Sequence, residues 1–408
     1  MNGTGVLTSS YKINKQYNYS ILAFVCFLIS PLLSLPFILL GIYNREKFSL
    51  FVLSLFFGVL SYYLIPTWEL DISRYYIMYQ EISNTDFVGF KAILEEQNDY
   101  LFFFIYYVFS RIGFSFQYFL LIASTIGFYS CFIVADLVIK KYYPSRQSYF
   151  ILMISFVLSL PILAMVSVTR FSIGFVFFML FIYYHLKERK KTSYIYFALS
   201  CFTHFAFSIF IPFIIIFYFI KNRVKINSML VGVGAIVIFF SLTGGLMGVL
   251  QYIPFLATKA QTYLTIFEDT NIKILSTILI VPVFISLFFY MKFYQVVPSK
   301  LLQVYLGTLL VALVCIPTNM IIYDRYIQVF KPVFALTIMA TCYSPNMVSR
   351  AKILLLKKIV FIATIFYAMY YFYTFYIIYK DSFRGFISLS KLLLISILDS
   401  SYTQHDFY

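Results

Sequence analysis

An all-α, polytopic integral membrane protein is the fold class this sequence predicts, and three observations predict it. Of the 408 residues, 62% are hydrophobic and only 12% charged, against about a quarter charged in a soluble domain. Apolar runs recur along the chain at close to the ~20 residues a helix needs to cross a bilayer. The 31 Lys and Arg outnumber the 16 Asp and Glu, and they gather in short loops between the runs, the pattern that orients membrane helices. This composition excludes a soluble globular enzyme, a disordered chain and a collagen-like one. It also gives the net charge of +15 a reading that needs no nucleic acid.

In chain order the apolar runs are 20–42, 48–66, 115–139, 148–167, 171–186, 228–250, 272–292, 301–319, 326–343 and 359–379. Residues 100–112 are apolar but reach only about 20 Å as a helix, so they are expected to dip into the membrane or lie on it. Residues 193–220 are too long for one span. Two short helices meeting near His204 fit better. With 193–220 crossing twice, the chain makes about 12 spans. It is expected to form a single polytopic membrane domain, 1–408, with an outer loop at 67–99 and a C-terminal tail at 380–408. No cleavage motif follows the first run, so that run reads as a retained anchor.

Charge sets the sidedness. The stretch Lys187-Glu188-Arg189-Lys190-Lys191 is the densest basic loop and is expected inside. Lys140, Lys141 and Arg146 share that side, as do Lys221 to Lys225 and Arg350 to Lys358. Both termini then fall outside, and Lys12 and Lys15 violate the rule. Most acids fall on the outer face, together with Arg74, Arg170, His204 and Arg325, each at a span end.

The chemistry-bearing residues follow from this. Asp71, Arg74 and Tyr75 lie at i, i+3 and i+4 and share a helix face; a surface ion pair is the bland alternative. Glu69 and Asp71 form an acid-x-acid pair able to hold a divalent cation on a phosphate. Arg170, between two apolar runs, costs at least about 2.5–3.5 kcal/mol at membrane depth and calls for a partner or an anionic ligand; snorkelling to head groups is the alternative. His204 is a candidate base or phosphate donor, or a bonded core histidine. Arg325 sits in Tyr323-Asp324-Arg325-Tyr326, where Asp324 can neutralise it. Five cysteines at unrelated spacings form no zinc or disulfide pattern. No phosphate loop or serine-hydrolase motif is found.

The ordered motifs carry a resemblance. Asp71 opens an Arg/Tyr-rich stretch. Glu95 and Asp99 precede the aromatic run from Tyr100. Arg170 begins a span ahead of the basic loop, and His204 follows in a small-aromatic context. Arg325, Tyr326, Phe330 and Pro332 close the set. Over roughly residues 60–335 the chain resembles the EpsG-like branch of the Wzy-type O-antigen and capsule polymerases. Leu70 stands where that family often has Gly before the first-loop Asp, and Phe205-Ala206 replaces a small polar pair after the His.

The resemblance implies a glycosyltransferase of the bacterial inner membrane, facing the periplasm or exterior. It would polymerise oligosaccharide units carried on undecaprenyl pyrophosphate, for O-antigen or capsule. The roles implied are Arg170 and Arg325 on the pyrophosphate, with Asp71 or His204 as base. Arg74, Tyr75, Tyr326 and Asp324 are implied in substrate binding. No cofactor is required, although the Glu69/Asp71 pair keeps a metal-dependent version open. The partners implied are membrane lipid, a chain-length regulator and a flippase of the same pathway. A lipid-linked oligosaccharide flippase is the rival reading.

Overall fold

The computed structural model describes residues 18–64, 71–95, 97, 99–142, 145–212, 214, 299–315, 320–341, 365 and 369. Every regular element among these is helical. The expected runs 228–250, 272–292 and 359–379 lie outside the described residues, save Ile365 and Met369.

The first run corrects the sequence reading. Residues 20–42 form two helices, α1 (Tyr19–Ile29) and α2 (Pro31–Tyr43). Ser30 between them is extended, at φ −155° and ψ 128°, as proline biases the residue before it. Pro31 then opens α2 at a position where its missing N–H costs nothing. The two helices fold back as a hairpin. The Ser20 N–H donates to Glu46 Oε2 at 2.7 Å, and the rings of Phe24 and Phe48 lie 5.7 Å apart. At about 1.5 Å per residue a straight helix would separate Ser20 from Glu46 by roughly 40 Å. The hairpin therefore starts and ends at one end of the bundle. A hydropathy window misses the turn because the residues on both sides of it are equally apolar.

α3 (Lys47–Tyr62) runs from that end to the other and packs along α7 (Phe116–Tyr142). Phe57 stacks on Phe128 at 4.2 Å. The segment Phe116–Lys141 is the one helix, among the described residues, long and apolar enough by itself to cross a membrane. α8 (Arg146–Ser159) and the single turn α9 (Ile162–Val166) lead to α10 (Arg170–Leu186). α11 (Lys190–Thr203) returns alongside α10 and stops at His204, which is extended; a 3-10 helix follows at Phe205–Phe210. The break expected near His204 is present. α12 (Ser299–Cys315) and α13 (Met320–Thr341) complete the bundle. Arg325 lies inside α13, in its second turn, and not in a loop ahead of it.

Between α3 and α7 the polar stretch expected as an outer loop is a helical lobe from residue 71 onward. α4 (Asp71–Asn84), α5 (Phe87–Glu95) and α6 (Tyr100–Arg111) bury their own aromatic core. Tyr79, Phe90, Phe102, Phe103 and Tyr106 meet Phe116 and Phe119 of α7 there, with Val168 and Ile173 closing the base. The apolar side of α6 thus packs inside the lobe. A 12-residue helix of this kind is too short to span.

The two ends of the bundle differ in chemistry. At one, Arg45 Nη2 donates to the Ser145 carbonyl at 2.9 Å and Arg146 Nη1 to Asn44 Oδ1 at 2.6 Å. Lys140 pairs with Asp136 at 2.8 Å, which also accepts from Tyr149. Lys300 at the start of α12 meets Glu188 after α10 at 2.6 Å. The basic loops among the described residues are therefore gathered at one end, as the charge pattern predicts; those at 221–225 and 350–358 lie outside the described residues. Asn18, where the described chain begins, lies at this end too, the reverse of the expected outside start. Lys12 and Lys15 themselves are outside the described residues.

In a cysteine-free background, single cysteines at Asn18 and Lys47 should label with an impermeant thiol reagent from the same side of sealed vesicles. Labelling from opposite sides would restore the single span.

Candidate active site

At the end opposite the basic loops, one buried carboxylate joins three elements. Asp99, just before α6, is 2% exposed. Arg170 Nη1, at the first residue of α10, donates to its Oδ2 at 2.8 Å. His204 Nδ1, closing α11, lies 3.3 Å from Oδ1. The Phe205 N–H, opening the 3-10 helix, donates to the same oxygen at 3.0 Å. The Arg170 Nε also donates to the Tyr75 hydroxyl of α4 at 3.4 Å, with the guanidinium 5.7 Å from that ring's centre.

Local sequence explains why the pieces arrive in register. Thr169 caps α10, its hydroxyl accepting from the Ser172 N–H at 3.3 Å, so Arg170 occupies the first turn, where the helix dipole is positive. Val168, before the cap, is held at φ 46° and is 2% exposed. A β-branched residue rarely adopts that conformation, at a cost of about 1–3 kcal/mol, and such strain clusters at functional sites. The Ser61 hydroxyl of α3 donates to the Val166 carbonyl and pins the approach. Gly174, one turn into α10, lets α11 come close. The Ser200 hydroxyl donates to its carbonyl at 2.7 Å, and a Cβ there would meet the Phe207 ring at 2.7 Å and His204 Cβ at 3.3 Å. A side chain at 174 would push His204 away from Asp99.

The electrostatics follow from burial and these contacts. Burial alone would raise the Asp99 carboxyl. The His204 hydrogen bond, the Arg170 guanidinium and the Phe205 N–H outweigh it and hold the group down from its ordinary 3.8 to about 2. Asp99 is therefore ionised at any physiological pH and can only accept. For His204, burial pushes the imidazole below its ordinary 6.5; Asp99 pulls it up, while Arg325 and Arg170 push it further down. Neutral His204 then carries its proton on Nδ1, facing Asp99, and leaves a lone pair on Nε2. That is the arrangement of an oriented base.

The residues singled out in the sequence divide into three groups. Arg170, His204 and Tyr75 are in the cluster, and the charge of half-buried Arg325 reaches His204. Tyr326 supports it: its hydroxyl donates to the Ala206 carbonyl at 2.8 Å, and its ring lies 6.1 Å from Phe210. Arg74 is on an exposed face of α4. The side chains of Asp71 and Asp324, and Glu69 altogether, lie outside the described residues. Asp99 is the residue to which sequence reasoning gives no role, although it stands in the motif set. The available signal is an acid placed directly before an aromatic run, where an ionised group needs a partner.

With this geometry in hand, comparison with known proteins is decisive for the family. The sequence model of the EpsG family matches residues 66–389. The chain belongs to the EpsG family. Asp99, Arg170, His204 and Arg325 all fall within the matched range, whereas the α1–α2 hairpin and α3 precede it. Searches of curated proteins and of solved structures return no match. As an EpsG family member with this composition, it is a helical membrane protein of the polysaccharide-related class.

Asp99→Asn should destabilise the fold by about 3 kcal/mol at neutral pH, the lower end for one lost partner of a buried ion pair, because the Arg170 side chain keeps 23% exposure. Both shifts have the same sign. Folded pKa values below the ordinary ones mean stability is lost on acidification, from His204 as pH falls below 6.5 and from Asp99 as it falls from about 4 towards 2. Thermal melting across pH should show the gap between wild type and Asp99→Asn constant above pH 6.5 and closing as the pH falls from about 4 towards 2. A gap independent of pH would contradict the ionised carboxylate.

Proposed function

We propose that this protein polymerises lipid-linked oligosaccharide units by glycosyl transfer at the outer face of the bacterial inner membrane. The observation that carries the reading is the Asp99 cluster, which joins an arginine and an oriented histidine at the end remote from the basic loops. Basic loops favour the cytoplasmic side, so the cluster would face the periplasm or exterior. No nucleotide triphosphate is present there. A polyprenyl diphosphate donor would bring its own leaving group.

In the proposed reaction the bond between the sugar's anomeric carbon and the diphosphate oxygen breaks. A bond to a hydroxyl of the next lipid-linked unit forms, and the hydroxyl proton passes to His204 Nε2. Arg170 and Arg325 hold the diphosphate and stabilise the charge that develops as it leaves, the task to which planar guanidinium groups are suited. Asp99 keeps the proton of His204 on Nδ1 and steadies Arg170. The carboxylate also limits how tightly Arg170 grips the diphosphate, which favours product release. Tyr75 and Arg74 line the lobe side of the same end and are assigned to the glycan. Asp71 is the alternative base, and with Glu69 the alternative metal pair. A flippase reading would demand charged groups deep in a central cavity; the cluster instead sits at one end, which favours the transferase.

Deletion of the gene should leave single repeat units on surface polysaccharide gels, whereas loss of a flippase would leave none outside. Arg170→Ala at normal protein levels should reproduce the single-unit pattern, with transfer slowed about 10²–10³-fold, the usual cost of one charge-stabilising donor. A full ladder from that variant would remove Arg170 from the site.

A further inference from the structure

We propose that the tip of the α4–α6 lobe is a membrane anchor that sinks into the lipid leaflet at the site's end of the protein. The tip is assembled from two separated segments. Phe87 and Val88, at the start of α5, are 66% and 74% exposed; Ile112 and Phe114, in the turn between α6 and α7, are 65% and 39% exposed. The segments are tied together beneath this surface. The Arg111 guanidinium donates to the Thr85 carbonyl. Phe90 stacks on Tyr107 at 4.2 Å, and Phe87 lies 6.2 Å from the same ring. Gly113, at φ 87°, makes the turn that brings Ile112 and Phe114 outward. Large apolar side chains presented together at this exposure mark an interaction surface and not a hydrated one.

Two features identify lipid as the occupant. The first is continuity. Phe114 lies two residues ahead of α7, and its ring is 6.2 Å from Tyr118 of that helix. Tyr118 and then Ile126 are 47% and 53% exposed along the helix best suited to cross a bilayer. The apolar surface of the tip thus runs on into the lipid-facing side of α7. The second is the charge at its rim. Lys91 is exposed one turn after Phe87, and Arg111 is exposed with its guanidinium 4.8 Å from the centre of the Tyr107 ring; exposed Asp86, beside Phe87, caps α5, its Oδ1 accepting from the Gly89 N–H at 2.8 Å. Aromatic and aliphatic side chains bordered by long cations match the boundary between acyl chains and phosphates. The apolar face of α6 is not what anchors the lobe, because Phe102, Phe103 and Tyr106 are buried within it. Seating the tip would fix the height of α4 and α6, and so hold Tyr75 and Asp99 near the level of the headgroup phosphates. The inference stands on the lobe's surface and does not depend on the transfer reaction.

The test uses full-length protein in lipid nanodiscs with Trp68, the only tryptophan, replaced by Phe. Phe87→Trp and, independently, Ile112→Trp supply the probe, with Ile126→Trp as the lipid-facing reference. At a depth of ~5–10 Å, lipids brominated near the headgroup end of the chain should quench both tip probes, while lipids brominated deep in the chain should quench the reference. Aqueous iodide should leave them unchanged. Quenching by iodide with none from brominated lipid would put the tip in water. Quenching by neither would mean that protein covers it, either a second copy or a partner. Both results overturn the proposal.

Discussion

A carboxylate buried where three chain segments meet stays ionised only when donors surround it, and that requirement organises the far end of this molecule. Asp99 satisfies it with an arginine from the start of α10, a histidine from the end of α11 and a backbone N–H from the 3-10 helix. An isolated carboxylate in that position would be several kcal/mol too costly. With its donors in place, the same group becomes the fixed point against which the other side chains are oriented. Chemistry and architecture therefore share one interaction, and neither can be changed alone.

The surrounding features serve that junction. The strained backbone at Val168, the Thr169 cap and the bare Cα of Gly174 each govern where Arg170 and His204 sit. The lobe supplies Tyr75 against the guanidinium from the other side. At the opposite end, Arg45, Lys140, Arg146 and Lys300 are neutralised or bonded by neighbouring residues, with buried Asp136 taking both Lys140 and the Tyr149 hydroxyl, which secures the helix ends. The contrast between a bonded basic end and an end with a paired histidine and arginine gives the bundle its polarity.

Much of this is legible in the residues. The helical class, the break at His204 and the sharing of one end by Arg170, His204 and Arg325 follow from hydropathy and charge. The α1–α2 hairpin is not legible, because Ser30 and Pro31 interrupt an otherwise uniform apolar run and hydropathy averages over them. The lobe reads as a loop because α4 is amphipathic and nearly neutral in mean hydropathy; its partner surface, the aromatic side of α6, comes from a segment that reads as lying on or in the membrane. Asp99 escapes notice as the hub because proximity to Arg170 and His204, 71 and 105 residues away, is a property of packing. Asp71 draws attention instead because its partners at i+3 and i+4 are visible in the linear chain.

The central claim is that Asp99 couples energetically to both Arg170 and His204. Two double-mutant cycles in thermal unfolding at neutral pH measure this, pairing Asp99→Asn with Arg170→Gln and with His204→Gln. Coupling is expected in both cycles, each in the range of about 0.5–3 kcal/mol found for residues in direct contact. Effects that simply add in both cycles would mean the three side chains do not form one site, and would contradict the claim.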